Sequence, residues 1–362
     1  MFQFSPLAKK RWRSFKRIRR AWWSLIALGA IFVFCMLADF VCPYDPREVV
    51  DTKTLEKYRQ SVVRETYDIK TVRYNIGDDG TIWDYEGPKD VDEALYNITR
   101  TPHPGYTRVF MEPKDPPAVT ERVLDAPEIS FPFRPCREHP FGIDSGGRDV
   151  YARVVHGMRI ALLFGLVLAV WAMFLGLVVG AVEGYFGGAT DIVCQRFTEI
   201  WSAMPFLYVM IFIGSTLGRS FGILLVCYGI FNWIGVSYYM RAEFLRLRVR
   251  TFVEAAKCQG FSAARIIFSH ILPNAMTPLI TLFPFLLMGA IGSLAALDFL
   301  GFGLPPMTPS CGELMQEAQQ FRWAWWLILF PALALFIVMF LTVLVGEGLR
   351  DAFDPRQRSK LE

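Results

Sequence analysis

The sequence predicts an all-α integral membrane protein with six transmembrane helices and a large insertion between the first two. Three observations carry that reading. Of 362 residues, 53% are hydrophobic and only 20% charged, and the mean hydropathy is +0.31, too apolar for an ordinary soluble globule. Six uncharged runs are present: Ala21–Ala38, Ile160–Val182, Ile200–Gly218, Ser220–Met240, Ile271–Leu297 and Trp323–Gly346. A run of about 18 residues or more crosses roughly 30 Å of hydrocarbon as a helix. Finally, the alternation of barrel strands is missing from these runs, and in lipid every backbone N–H and C=O has to be bonded internally, which makes them helices.

Residues 1–20 carry Lys9, Lys10, Arg11, Arg13, Lys16, Arg17, Arg19 and Arg20 with no acidic residue. Trp12, Phe15, Ile18 and Trp22 recur at helical spacing, which suits an amphipathic helix lying on membrane lipid headgroups. Nucleic-acid binding, the other use of a basic run, fits poorly beside a membrane span. The first span, within residues 21–42, is too long for a signal-peptide core and is followed by Asp39, Cys42 and Pro43 rather than a cleavage site. The loop after the fourth span holds Arg241, Arg246, Arg248, Arg250, Lys257 and Arg265, and the tail at 350–362 holds Arg350, Arg356, Arg358 and Lys360. The positive-inside rule therefore puts the N-terminus, the 241–270 loop and the C-terminus in the cytoplasm. The loop after the fifth span, with Arg322 beside Asp298, Glu313 and Glu317, is left outside. Arg148, Arg153 and Arg159 oppose this assignment, but they follow a loop far longer than the rule governs.

Residues 43–157 are read as an extracytoplasmic insertion of domain size. Its first half has strand-like pieces such as Ile82-Trp83-Asp84-Tyr85, and its second half is rich in proline, which favours extended, irregular backbone. Cys42 and Cys136 both fall on the side where a disulfide is permitted, though no spacing assigns one. Residues 158–349 hold spans two to six. Gly165, Gly176 and Gly180 with Ala169, Ala172 and Ala181 in the second span allow close helix contact. Trp22, Trp23, Trp323, Trp325 and Trp326 sit where interface anchors sit. Met204-Pro205, Pro278, Pro284 and Pro331 are expected to kink their spans, and Met204, Pro205 and the polar Asn232 are candidate pathway residues.

Chemistry is conspicuous for what is missing. There is no phosphate-cradling Gly-x-x-x-x-Gly-Lys-Ser/Thr, no nucleophile constellation, and no Cys or His spacing for a metal. Catalytic and metal-binding residues are therefore expected to be none. The centres of the spans hold no ionisable side chain of the kind ion-coupled transporters use, so the chain lacks an energy source of its own. What stands out is the 241–272 loop. Thr251–Gln259 reads as a short helix broken by Gly260, and Ser262 caps a second helix that Pro273 stops or kinks. Ala255 and Ala256 give a low face, and Glu254 a charge, for a soluble partner to grip.

Glu254-Ala255-Ala256, then Gly260, then Leu272-Pro273, resembles the signature loop of ABC importer permeases, in which such a loop forms coupling helices that dock on a separate ATPase. His270 departs from the general pattern, but His270-Ile271-Leu272-Pro273-Asn274 is similar to the oligopeptide/dipeptide branch of C type. So are His139–Asp144 with Gly147-Arg148-Asp149, Leu297–Pro305 and Gly348–Pro355. Residues 5–23, 195–205 and the enlarged outer loop look most like the Yej E-type members, which the resemblance ties to peptides and microcin C. The resemblance implies a type I ABC importer permease fold and a bacterial inner-membrane location. It implies three partners: a homologous permease chain, an ABC ATPase that binds the ATP and Mg, and an extracytoplasmic peptide-binding protein. No cofactor is implied in this chain itself. It also makes Asp144, Gly147, Arg148 and Asp149 an outer gate or binding-protein contact. The rivals are an ATP-independent secondary transporter or channel, and a membrane-anchored enzyme sited in the insertion. Inverted repeats or intramembrane charges would mark the first, and a nucleophile constellation the second.

Overall fold

A computed structural model describes residues 6–50, 70–76, 82–86, 96–103, 106–113 and 131–353. The chain divides into two compact units, Val50–Ser130 and the rest. The smaller unit is narrower than the expected 43–157 insertion, because 43–49 and 131–157 belong with the helices. It holds an antiparallel sheet of β1 (Lys70–Ile76), β2 (Ile82–Glu86), β3 (Tyr96–His103) and β4 (Tyr106–Pro113) in the order β2-β1-β4-β3. The strand expected around Ile82–Tyr85 is β2. Pro102 lies on the edge strand β3 and Pro113 ends β4, the places where a missing ladder donor costs least.

The larger unit is helical. α1 (Pro6–Arg17) leads into α2 (Arg19–Met36) and a short α3 (Ala38–Val41). α4 (Val150–Phe186) is followed by α5 (Gly188–Ser202) and α6 (Phe206–Thr216), then α7 (Phe221–Asn232) and α8 (Ile234–Leu247). The hairpin contains α9 (Thr251–Cys258) and α10 (Ala263–Arg265), and α10 runs through a π-helical turn at Ile266–Ile271 into α11 (Leu272–Phe299). α12 (Cys311–Gln320) and α13 (Trp326–Phe353) complete the unit. Among the described residues, five stretches are long and apolar enough to span a membrane: α2, α4, α7–α8, the run from α10 to α11, and α13. The third expected span is instead a broken pair, α5 and α6, bent by 68° at Ala203–Pro205. Pro278, Pro284 and Pro331 by contrast sit inside unbroken helices.

The core forms around α4. A Cβ built on Gly176 would lie 2.5 Å from Cβ of Val236, one on Gly180 2.6 Å from the Ser237 carbonyl, and one on Gly184 2.5 Å from Cβ of Phe244. A glycine every fourth residue thus lets α4 and α8 meet backbone to backbone, which is how helices gain contact where lipid gives no hydrophobic drive. The expected tryptophan girdle holds only in part. Trp23, Trp323 and Trp325 are exposed, but Trp326 is buried with its indole on the Ile143 carbonyl at 3.4 Å. The basic N-terminal helix is also more than a lipid-facing ribbon. Phe15 is buried with Ala21 against Val345 and Ala352 of α13, Gly348 makes room for Ala21, and the Arg11 guanidinium donates to Thr277 at 3.0 Å. Cys42 and Cys136 are unbonded thiols.

Candidate functional site

The hairpin is built by local rules that can be followed residue by residue. α9 ends in a glycine-capped turn: the Gly260 N–H donates to the Lys257 carbonyl at 2.9 Å and the Phe261 N–H reaches back to the Ala256 carbonyl at 3.2 Å. Gly260 has φ of +75°, and nothing lies within 4 Å of where its Cβ would stand, so glycine is needed for conformation alone. Ser262 caps the next turn, its hydroxyl accepting from the Arg265 N–H at 3.4 Å.

Of the two outcomes expected of Pro273, stopping or kinking the second helix, the stop does not occur. The preceding turn widens, with the Leu272 N–H donating to the Ile267 carbonyl five residues back, and the helix continues to Phe299. The Asn274 carboxamide donates to the His270 carbonyl at 2.8 Å, in the turn the proline disturbs. The widened turn and the Asn side chain together absorb a residue that lacks an N–H. His270, the departure from the general pattern, stacks on Phe261 with centroids 5.7 Å apart, and the Arg265 guanidinium lies over the Phe261 ring at 4.1 Å.

The two alanines part company. Ala256, with Val253 one turn before it, is buried in an apolar cluster with Phe244 and Leu247 of α8, Ile266 and Ile271 of the π turn, and Ala275 and Leu279 of α11. Ala255 faces out with Glu254, Phe252 and Lys257. The low face open to a partner is therefore Glu254-Ala255, while Ala256 anchors the hairpin. Leu272 is half-buried and Pro273 exposed. The hairpin end of the bundle is tied further by Arg241, which grips Asp191 of α5 with both arms at 2.5 and 2.6 Å, and by Arg248 in the cradle of Gly187.

The second expected group lies at the opposite end of α4. Asp149 caps that helix, accepting from the Ala152 N–H at 2.7 Å, and its other oxygen is hydrogen-bonded to His139 Nδ1 at 2.7 Å. Asp144 accepts from the Gly146 and Arg148 N–H groups at 2.9 and 2.8 Å and from Arg148 Nε at 2.9 Å. Gly147 has φ of +77° and turns the loop. Arg153, fully buried, binds Asp144, Glu313 at 2.5 Å and Glu317 at 3.0 Å, the latter two on α12. Sequence reading singled out Asp144 and Arg148 but missed the hub, Arg153, and its α12 partners. Burial pushes the Glu313 carboxyl upward, with Arg153 opposing. Asp144, Gly147, Arg148 and Asp149 are all buried; Arg153 and Arg148, both paired with Asp144, tie α12 to the start of α4 through Glu313 and Glu317. Among the described residues no cluster of His, Cys, Asp and Glu is arranged to hold a metal.

The third group is at the breaks. Met204 and Pro205 sit at the bend between α5 and α6, and Asn232 is the last residue of α7. Trp201 and Trp233 both donate their indole N–H to the Ile230 carbonyl, at 3.1 and 2.6 Å, which joins the two breaks.

An anchored, exposed hairpin on a bundle of membrane-spanning helices marks a transport subunit driven from outside itself. Residues 161–359 match the family described as binding-protein-dependent transport system inner membrane component, and residues 5–58 match the N-terminal TM domain of oligopeptide transport permease C. The chain belongs to the first of these families: it is a multi-pass inner-membrane permease subunit of an ABC importer, not an enzyme, and ATP coupling follows from the family. It is 36% identical to a peptidoglycan transport system permease protein YejE of Agrobacterium fabrum, over 98% of this chain and 94% of that one. It is 35% identical to an inner membrane ABC transporter permease protein YejE of Escherichia coli, over 99% of both. A dipeptide transport system permease protein DppC of Alkalihalophilus pseudofirmus is 36% identical over 62% of this chain and 74% of its own length.

Proposed function

We propose that this permease carries peptides or peptide-containing compounds inward, as half of a path completed by a homologous permease chain. The observation that carries the coupling part is the hairpin itself: an exposed Glu254-Ala255 face rigidly keyed by Ala256, Gly260 and the Leu272-Pro273 turn to α8 and α11. An ATPase subunit grips that face, binds the ATP and Mg, and moves the hairpin as a rigid body when it closes. The hairpin and both termini lie in the cytoplasm, the side that the positive-inside rule favours for their basic residues. The Val50–Ser130 unit then lies outside, where a peptide-binding protein docks. The Asp144, Arg148, Asp149 and Arg153 cluster is the outer gate, holding α12 against α4 in one state and releasing it in another. The path runs along Met204, Pro205 and Asn232.

The peptide cargo follows from relatives whose names carry dipeptide, oligopeptide or peptidoglycan transport. Those matched over nearly the whole chain, insertion included, are the Yej proteins, which favours a larger or modified peptide such as a muropeptide or microcin C.

Affinity purification from native membranes in mild detergent tests the assembly, comparing wild type with Gly260→Val. An ATPase and a second permease chain accompany the wild type, and the variant loses the ATPase. Wild type that purifies alone, and moves labelled peptide in liposomes without ATP, replaces this reading by the secondary transporter.

A further inference from the structure

Two consecutive membrane segments are interrupted, and the interruptions touch. α5 and α6 bend by 68° at Ala203–Pro205, and α7 gives way to α8 at Trp233. The Ile230 carbonyl, freed at the second break, takes both the Trp201 and the Trp233 indole N–H. Phe231 packs between the two sides, 5.7 Å from Trp201 and 5.6 Å from Phe206 by ring centroids. Interrupted helix at membrane depth persists only where it is buried in protein or lines water.

Asn232 decides which of the two holds here. It is half-exposed in an otherwise uncharged segment, and its carboxamide makes no hydrogen bond with any described residue. Facing lipid, an amide without a partner is strongly unfavourable. Ser202, Ala203 and Pro205 at the facing break are exposed as well. This side of the double break therefore meets something polar.

The chemistry on offer is narrow. A carboxamide donates and accepts at once, which is the complement of a peptide bond. Aromatic faces accept apolar side chains of many shapes. No Asp, Glu, Lys, Arg or His lies between residues 200 and 218 or 220 and 240, and the nearest charges on α5, Arg196 and Glu199, pair with each other at 2.5 Å. We propose that Asn232 contacts the cargo directly and pairs with its backbone amides, so that this permease selects for peptide backbone and tolerates varied side chains. The proposal rests on the peptide-permease reading above.

Two measurements test it. The first is Asn232→Cys in native membranes, treated on both faces with a charged, membrane-impermeant thiol reagent, with wild type as the blank for the seven native cysteines. The introduced thiol is expected to react, and a saturating tripeptide to slow the reaction. An introduced thiol that stays unreactive overturns the proposal, because the side chain then faces lipid or another chain. The second is ATP-driven uptake of a tripeptide and of its N-methylated-amide analogue in vesicles. Wild type is expected to take up the analogue with a half-saturating concentration roughly tenfold higher, the loss of one well-placed hydrogen bond. Asn232→Leu is expected to lose that discrimination, and Asn232→Gln to recover part of it. Equal discrimination by wild type and Asn232→Leu overturns the proposal. ATP-independent uptake by wild type instead overturns the permease reading, and the thiol result separates the two failures.

Discussion

Gly260 allows the proposed coupling role of the hairpin to be tested with strain alone. Its φ of +75° is costly for a side chain, yet no atom lies within 4 Å of the Cβ position, so replacement meets no clash. For alanine the left-handed conformation costs about 1–2 kcal/mol. Asparagine visits that region readily and costs less, while a β-branched valine costs more. A cost of about 1–2 kcal/mol is a factor of roughly 5–30 in the ratio of closed to open turns. The closed turn fixes the exposed Glu254-Ala255 face, because the Phe261 N–H reaches back to Ala256 across it. Titrating the ATPase subunit onto the purified permease in nanodiscs reads this directly. Apparent affinity is expected to fall in the order Gly, Asn, Ala, Val, with Ala weaker than Gly by up to about 5–30-fold. Alanine binding as tightly as glycine, or asparagine binding worse than alanine, would refute the conformational argument and return the residue to an ordinary loop.

Four other perturbations probe the frame. Gly180→Leu places atoms where a first Cβ is already 2.6 Å from the Ser237 carbonyl and 2.8 Å from the Arg241 backbone nitrogen, so α4 and α8 must separate; loss of a monodisperse peak in size exclusion is expected. Arg153→Met leaves Asp144 and Glu317 with Arg148 and takes away the ion pair of Glu313, and a loss of about 3–5 kcal/mol is expected in thermal unfolding, partly restored by adding Glu313→Gln. Phe15→Ala, which empties a buried site against α13, is expected to expose the N-terminal helix to protease at the cost of up to about 3–5 kcal/mol of packing. Glu313 holds its proton more tightly folded than unfolded, so its contribution to stability is greatest below the unfolded pKa and fades as pH rises through the raised folded value. A melting profile that declines over that range in wild type is expected to flatten in Glu313→Gln.

Spans were legible because hydropathy is summed over many residues: five of the six runs fall on stretches long enough to span, and the third falls on the bent pair α5–α6. The fate of individual prolines was not. Pro205 breaks its span, yet Pro284 and Pro331 are buried inside unbroken helices, where neighbouring helices hold the backbone in place. Sequence alone offers the same symbol in each case. The hairpin was legible to the residue at Gly260 and Ser262, where the rule is local. It misplaced Ala256, because which face of α9 turns inward is set by Phe244, Leu247 and Ile271 from other helices. The Arg153 hub escaped for a related reason: its partners lie 160 and 164 positions away, and charge counting assigned them a side without pairing them. The one available signal was an arginine next to an apolar run, opposite a loop with two spare carboxylates.

The two ends of α4 are held by opposite chemistry, and this bears on the proposed coupling of the hairpin to an outer gate. Arg153 and Ala181 are 28 residues apart (181 − 153), about 40 Å along the helix. At Ala181 the hairpin is packed into an apolar cluster shared by α8 and α11. Such packing is short-ranged and close-fitting, so it transmits displacement without yielding. At Arg153 the contact between α4 and α12 is ionic. A buried ion pair adds little net stability over an apolar substitute, yet it is costly to break halfway, which favours two discrete arrangements over a continuum. Glu313 and Glu317 keep 26% and 16% of their side chains exposed, so water can solvate them as the pairs part. A rigid grip at the hairpin and a separable, wettable contact at the far end is the distribution that a lever needs. It places the mechanical compliance of the subunit between α12 and the first turns of α4 and at the joined breaks of α5–α6 and α7–α8, and not in the hairpin.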